Sequence, residues 1–350
     1  MLTIKTNYSL KPHNSFGLDV KAKYFVEYEN ADDLAEFLSN RSSMVNAQCS
    51  MFHIGSGSDL LFTKDFDGCI LHSAVKGIEK IDECDGHVTL SVGAAENWDD
   101  FVAWTIAHGY YGLENLSLIP SEVGAAAVQN IGAYGAEAKD FIVSVHCVDM
   151  HTGRQVRHTK DECGFSYRRS NYKEQWRGQY AITHVVFSLP TEFHPNISYK
   201  GLSDLPTQGL TAQDVRNKVI ELRRSKLPEP SQLGNAGSFF LNPIISADHY
   251  NDLRRQYPDI PHYPVTDNAQ CSMLNVQCSR LKVPAAWLIE KAGWKGKSLG
   301  RAGVYHNQPL VLVNLGGATP DEIVALAAAI MEDVQHKFGI TLKPEVIYLD

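Results

Sequence analysis

Pro120-Ser-Glu-Val-Gly-Ala-Ala-Ala-Val-Gln-Asn-Ile-Gly-Ala-Tyr-Gly135 is the stretch on which the reading of the chain turns. Three glycines (Gly124, Gly132, Gly135) and four alanines (Ala125, Ala126, Ala127, Ala133) leave almost no side-chain bulk, and Glu122 is the single charge. So little apolar area cannot build a core by itself. It does let backbone approach another group closely, with glycines free to take positive φ. Gln129 and Asn130 add two amides that offer donors and an acceptor together. This chemistry suits the polar edge of a flat heterocycle, or a diphosphate held by backbone N–H groups. A Gly/Ala-rich loop packed against a sheet has the same composition, and composition does not separate the two.

Outward from this stretch, the chain has the bulk of about two or three domains, with 350 residues, 44% apolar and 21% charged. No run of about eighteen apolar residues suggests a membrane span, and residues 1–7 lack the apolar segment of a signal peptide. A cytoplasmic protein is expected. Seven cysteines without C-x-x-C spacing, the closest pair being Cys271 and Cys278, point to reduced structural thiols and to no metal site. A net charge of −8 argues against nucleic acid as a partner. An anionic ligand would need local cations, and these concentrate at Arg223–Lys226 and around Lys295, Lys297 and Arg301.

Strands and helices alternate. Lys23–Tyr28 reads as a strand, and Asn30 caps a helix with Asp32 and Asp33 in its first turn and Leu34, Phe37 and Leu38 as its stripe. Met51–Ile54 is a strand running into Gly55-Ser-Gly57-Ser-Asp59. Further strands are expected at 68–72, 87–92, 142–149, 154–159 and 180–189. Asn97 caps a helix bearing Trp98, Phe101, Val102 and Ile106. Residues 190–211 are polar and irregular, marking a boundary or an insertion. Thr211 starts a helix, and a short one spans 284–292. The last has Thr319 as N-cap, Pro320 at its first position, Glu322 completing a capping box and Gly339 as its stop. Residues 344–349 close the chain as a strand. The class is α+β.

Chemistry-bearing residues recur at strand ends. Gly55–Asp59 lacks the third glycine of a dinucleotide fingerprint and the lysine of a phosphate loop, yet its free N–H groups can make an anion nest. Ser238, in Gly234-Asn-Ala-Gly-Ser-Phe-Phe-Leu-Asn-Pro243, has no sequence-adjacent base and is a hydroxyl that can donate a proton or merely form a turn. Arg168 offers a planar fork for a carboxylate. Glu345 stands between Pro344 and an apolar run, facing either a pocket or solvent.

Taken together, these stretches closely resemble one family, the UDP-N-acetylenolpyruvoylglucosamine reductases of peptidoglycan synthesis, called MurB. The carriers are Asn14–Gly17, Ile54–Leu61, Gly112–Asn115, Pro120–Gly135, Tyr167-Arg168, Gly234–Pro243 and Pro344–Val346, in order along nearly the whole chain. The resemblance implies an FAD-binding fold of the vanillyl-alcohol oxidase type made of two α+β subdomains, residues 1–79 and 80–225. A C-terminal α+β substrate domain would span 226–339, with residues 340–350 returning to the first subdomain. It further implies non-covalent FAD and NADPH as co-substrate. The cofactor would meet Gly55, Ser56, Gly57, Ser58, Asp59, Pro120, Gly124, Gln129, Asn130, Gly132, Ala133, Tyr134, Gly135, Ile182 and Arg223. Asn14–Gly17 would lie near the flavin.

By the same resemblance, hydride passes from NADPH through the flavin to the enolpyruvyl ether of UDP-N-acetylglucosamine. Ser238 donates the proton, and Arg168 and Glu345 stabilise the enolate-like intermediate. Two carboxylates repel, so Glu345 helps only if it carries or shares a proton. Tyr199 lies on a loop of the longer family type, and with Lys226, Asn242 and Lys295 it would hold the UDP-sugar. A monomer is expected, acting through peptidoglycan synthesis in cell shape and division. The chain departs from the family pattern at Asp59, for Asn, at Ser121, for Gly, at Ala127, for Pro, and at Leu241, for a basic residue. A flavin oxidase on the same fold and a silent nucleotide-sugar sensor are the rival readings.

Overall fold

The computed structural model describes residues 1–45, 49–264 and 280–350, the side chains of residues 42, 43 and 264 excepted. Cys271 and Cys278 lie outside the described residues. The chain divides into two compact units. The first comprises Met1–His13, Val20–Gly57 and Asp65–Ser225, and the second Asn14–Asp19, Ser58–Lys64 and Lys226–Asp350.

The first unit holds two sheets. In one, Thr3–Ser9 pairs antiparallel with Lys21–Tyr28, which runs parallel to Phe66–Ser73, itself parallel to Met51–Ile54. Helix α1 (Ala31–Met44) covers it. Asn30 accepts the N–H of Asp33 at 2.8 Å, the cap that the spacing predicts, worth about 1 kcal/mol. Leu34 and Phe37 are fully buried beside Val26, Tyr28, Cys69 and Leu71.

The other sheet is antiparallel, in the spatial order Gln155–Thr159, Ile142–Asp149, Tyr180–Pro190, His87–Gly93, Ile78–Cys84. Helix α2 (Trp98–Ala107) follows its Asn97 cap and buries Trp98, Phe101 and Val102 against Phe187 and Leu189. The Trp98 indole donates to the carbonyl of Leu116 at 2.9 Å, so a large apolar ring keeps its polar edge satisfied.

Pro120–Gly135 is not a loop throughout. Helix α3 (Val123–Gln129) occupies its first half, ending at Asn130 with φ 43°. Alanine is the strongest helix former, and a helix this thin can sit directly on the sheet. Val123, Ala126 and Ala127 are fully buried, and a Cβ at Gly124 would lie 2.9 Å from that of Ala94. Smallness here serves close packing of helix on sheet, so the stretch contributes to a core that larger neighbours complete.

Helix α4 (Ala212–Lys226) ends the unit. The polar residues before it form a packed insertion, because Leu202 is fully buried with Val215 and Val219, and Tyr134, Phe193 and Ile197 pack around them.

The second unit has an antiparallel sheet ordered Asn235–Ser238, Val311–Asn314, Ala302–Val304, Ser298–Leu299, and a smaller one of Ile244–Ser246, Arg280–Lys282 and Tyr263–Pro264. Helices α5 (Ala247–Gln256), α6 (Ala285–Lys291) and α7 (Pro320–Phe338) accompany them. Thr319 and Glu322 form the expected capping box on α7, and Gly339 stops it with φ 66°. Two excursions of the chain are stitched in. Ile347–Leu349 runs parallel to Leu60–Phe62. Asn235 donates its N–H to Ser15 O at 2.9 Å, and Asn314 Nδ2 to Phe16 O at 2.9 Å.

Candidate active site

In the first unit the predicted cofactor residues gather around the end of α3. Asn130 is completely buried. Its Nδ2 donates to Glu137 Oε2 at 2.7 Å and to Ser166 O at 2.8 Å, and its Oδ1 accepts the N–H of Lys139. Both amide hydrogens are committed inside the chain. The side chain expected to reach a ligand instead ties residues 166–169 to the helix end. Gln129 Oε1 accepts from Lys173 Nζ at 2.5 Å.

Ser166 and Arg169 exchange two backbone hydrogen bonds of 3.0 Å, leaving Tyr167 and Arg168 at the tip of a tight turn. Arg168 takes φ 57°, a left-handed conformation that costs a non-glycine residue about 1–2 kcal/mol. Its Nη2 donates to the carbonyl of Gly132 at 2.9 Å. Strain held by surrounding contacts is a recurrent feature of functional positions. Tyr134, with φ 49°, is a second example two residues beyond Gly132.

Asn115 connects this region to the insertion. Its Nδ2 donates to the carbonyls of Tyr134 at 2.7 Å and Asn196 at 2.8 Å, while Asn196 Nδ2 reaches Gly135 O at 3.0 Å. The Tyr134 and Tyr199 rings meet edge-on with centroids 5.2 Å apart. Thus Tyr199, distant in sequence, is brought to Tyr134 and Gly135. Nothing in the periodicity marked Asn115 or Asn196 as the cross-link; only the polarity of residues 190–200 hinted at it.

Arg223 donates from Nε to the carbonyl of Leu118 at 3.0 Å, and Leu118 gives its N–H to Asp99 Oδ1 at 2.5 Å. Asp99 also receives both guanidinium nitrogens of Arg216, at 2.5 and 2.9 Å. Burial opposes ionisation of Asp99, but Arg216 and the Leu118 N–H outweigh it and hold the carboxyl below its ordinary value. Leu118 itself has φ 57°. Arg223 and Asp99 therefore fix the backbone that leads into exposed Pro120. Ile182 is 4% exposed and belongs to the sheet's core.

The strand Met51–Ile54 delivers Gly55 beneath Glu122. A Cβ on Gly55 would lie 2.8 Å from Glu122 Oε2 and 3.5 Å from the Cβ of Ala125. Next to it, the Ser56 hydroxyl is buried without a hydrogen-bond partner, as is Asn115 Oδ1. An unpaired buried polar atom costs about 1–3 kcal/mol. A ligand rich in polar atoms would recover that cost, so the orphaned Ser56 hydroxyl at this turn fits a dinucleotide such as FAD.

In the second unit, the side chain of Asn235 accepts the N–H of Gly237 at 2.9 Å and donates to Leu233 O at 2.8 Å. Gly237 turns with φ 69°, and Ser238 follows it with an exposed side chain. Phe239 and Phe240 are buried behind it. Phe240 bridges antiparallel to Pro344, and the Glu345 N–H donates to Phe239 O at 2.8 Å. This short pairing places Glu345 across from Phe239, the neighbour of Ser238, although the two segments are far apart in the chain. Asn14 is 5% exposed and closes its own turn through Leu18, at 2.8 and 3.1 Å, giving the Asn14–Gly17 signature a structural task in this unit.

The expected substrate-binding residues of the second unit differ in setting. Asn242 Oδ1 accepts the N–H of Ala285 at 2.9 Å and so caps α6, where Pro284 offers no side-chain cap. Lys295 pairs with Glu290 at 2.9 Å, and Lys226 is exposed, as is Leu241. Among the described residues no cluster of His, Cys, Asp and Glu could hold a metal, and no helix is long and apolar enough to cross a membrane.

Known proteins align with both units. The FAD binding domain family matches residues 22–159, and the C-terminal domain of UDP-N-acetylenolpyruvoylglucosamine reductase matches residues 229–349. A UDP-N-acetylenolpyruvoylglucosamine reductase of Bacteroides fragilis is 43% identical over 99% of this chain and 100% of its own length, and one of Porphyromonas gingivalis is 42% identical over the same shares. The crystal structure of the reductase from Thermus caldophilus superposes with a TM-score of 0.66, covering 100% of this chain and 99% of that one at 19% identity, which carries the fold. With both halves matched in order and relatives above 40% identity along their full length, the chain belongs to the UDP-N-acetylenolpyruvoylglucosamine reductase family of oxidoreductases.

Proposed function

We propose that this protein is an NADPH-dependent enzyme that reduces the enolpyruvyl ether of UDP-N-acetylglucosamine to UDP-N-acetylmuramate in peptidoglycan synthesis. The observation that carries it is the full-length identity to reductases of that name, and the backbone hydrogen bond from Glu345 to Phe239, the residue after Ser238, supports it. When bound, non-covalently, the flavin supplies the hydride that the double bond accepts. Residues 55–59, Pro120, α3 with residues 130–135, Ile182 and Arg223 hold it.

The remaining chemistry belongs to side chains. Ser238, exposed at the end of its strand, donates the proton to the carbon next to the carboxylate. A hydroxyl is a weak acid, so it can serve only a strongly basic, carbanion-like centre, which this reaction creates. Arg168, held in a strained turn, opposes the charge that develops on the substrate carboxylate. Glu345 supports the same charge in a form that carries or shares a proton. Tyr199, Lys226, Asn242 and Lys295 bind the nucleotide-sugar. The enzyme works in the cytoplasm as a monomer.

An absorbance spectrum of the purified protein tests this reading. The flavin band bleaches with anaerobic NADPH and returns when the UDP-enolpyruvyl sugar is added. Return only with oxygen would make the protein an oxidase on the same fold.

A further inference from the structure

Glu122 is the lone charge in a run of small residues, and the mechanism above leaves it without a task. Its position is unusual. It precedes α3, its side chain is 16% exposed, and it makes no capping hydrogen bond to the helix that follows. Its Oε2 lies against Gly55, so closely that any Cβ there would displace it. The buried, unpartnered hydroxyl of Ser56 is the next residue's. A carboxyl group thus stands at the turn that the proposed function gives to FAD, and whose Gly/Ser N–H groups suit its diphosphate.

An ionised carboxylate there would repel a diphosphate, and it would have no hydrogen to offer. The groups facing Glu122 do not favour ionisation. His72 Nε2, from the strand Phe66–Ser73, is 3.9 Å from Oε1, too far for a hydrogen bond. That ring is held by Glu27 on the strand Lys21–Tyr28 through Nδ1 at 2.9 Å, and His13 lies against its other side. Burial pushes His72 below its ordinary value, so it stays neutral at pH 7 and above. Lys76 alone pulls the other way, and it is engaged with Glu96 at 3.7 Å. Burial outweighs Lys76 and lifts the carboxyl of Glu122 to about 7.

We propose that Glu122 positions the cofactor as a neutral carboxylic acid, donating its hydrogen to a diphosphate oxygen at the Gly55–Ser56 turn. The inference rests on the placement of the FAD diphosphate at that turn. Binding of the dianion is then coupled to one proton. The sign is fixed: affinity is full below the carboxyl's own value, about 7, and is lost as pH rises through it.

The test is release of FAD from purified holoenzyme on dilution, read as recovery of flavin fluorescence between about pH 6 and about pH 9. The apparent dissociation constant of the parent is flat at the acid end and rises tenfold or more, roughly, by the alkaline end. Glu122→Gln keeps a donor that cannot ionise, so its constant stays level and falls below the parent's in alkali. A parent without pH dependence, or a Gln variant with the parent's slope, overturns the proposal. Ser56→Ala separates this from the placement of the cofactor. Weaker FAD binding in Ser56→Ala, by about fivefold for one neutral hydrogen bond, alongside an unchanged slope in Glu122→Gln, would retain the turn and reject Glu122. If both variants match the parent at every pH, the diphosphate lies elsewhere.

Discussion

Glu345 gives its backbone N–H to the carbonyl of Phe239 at 2.8 Å, so the residue that follows Ser238 is hydrogen-bonded to the segment that leads into the last strand, Ile347–Leu349. The buried rings of Phe239 and Phe240 anchor one side of that pairing and Val346 and Leu349 the other. Ser238 and Glu345 are therefore rigidly related through backbone, while Ser238 keeps its hydroxyl exposed.

Ser238→Ala removes one oxygen from an exposed position and leaves that pairing intact. Reduction of the flavin by NADPH is expected at the parental rate. Reoxidation by the UDP-enolpyruvyl sugar is expected to slow about a hundredfold or more, the usual contribution of a positioned general acid. Stopped-flow absorbance resolves the two half-reactions, and equal slowing of both would remove Ser238 from the proton-transfer step.

Glu345→Gln is the informative change at the other residue. Deleting the chain end would also remove Ile347–Leu349 from its pairing with Leu60–Phe62, together with two buried side chains. Loss of activity in such a truncation would report unfolding. The Gln variant keeps shape and backbone pairing, so its melting temperature should match the parent's. Its kcat should fall about a hundredfold, as when one stabilising group of a developing anion is lost, with KM little changed. A parental kcat would assign Glu345 to structure only.

Much of this architecture was legible beforehand, for identifiable reasons. Caps at Asn30, Asn97 and Thr319 are local hydrogen bonds, set by residues three apart, and each formed as read. Helix α3 was hidden because its small residues give no polar-apolar contrast of the kind that marks a helix; Ala126 and Ala127 are buried through their smallness. The side-chain amide of Asn130 looked free in sequence because its partners, Glu137, Lys139 and Ser166, are a matter of tertiary approach. Pairing between residues 239 and 345 is equally non-local, and no spacing rule connects them. Asn115, Asn196 and Asn235 share that character, each satisfying backbone groups far away or at a bend.

Gly234 is a packing glycine. A Cβ there would stand 2.2 Å from the carbonyl oxygen of Phe16, a backbone atom that cannot rotate away. Gly234→Ala is expected to push residues 14–19 away from the strand Asn235–Ser238 within the second unit and to cost about 1–3 kcal/mol, the range for overpacking. Urea denaturation measures the loss. Gly209→Ala, where nothing lies within 4 Å but φ is 73°, serves as the comparison for strain without a clash. No measurable loss in Gly234→Ala would mean that the Phe16 contact contributes nothing.

Arg216 and Asp99 form the pair whose removal should be felt furthest. Arg216 is 9% exposed and grips both oxygens of Asp99, which also holds the strained Leu118 ahead of α3. Arg216→Met preserves length but strands a buried carboxylate, at a cost of about 3 kcal/mol at neutral pH. The pH dependence identifies the cause. In the parent, Asp99 titrates below its ordinary 3.8, so the pair's stabilisation is complete above that value and disappears as pH falls through the lower, folded one. In the variant, burial is opposed only by the Leu118 N–H and the more distant charge of Arg223, and the carboxyl can accept a proton earlier. The difference in stability between the two proteins should therefore be greatest at neutral pH and shrink below about pH 4. Urea melts at both ends of that range read it directly. A gap of the same size at acid and neutral pH would attribute the loss to the packing of the Arg216 side chain instead of its charge.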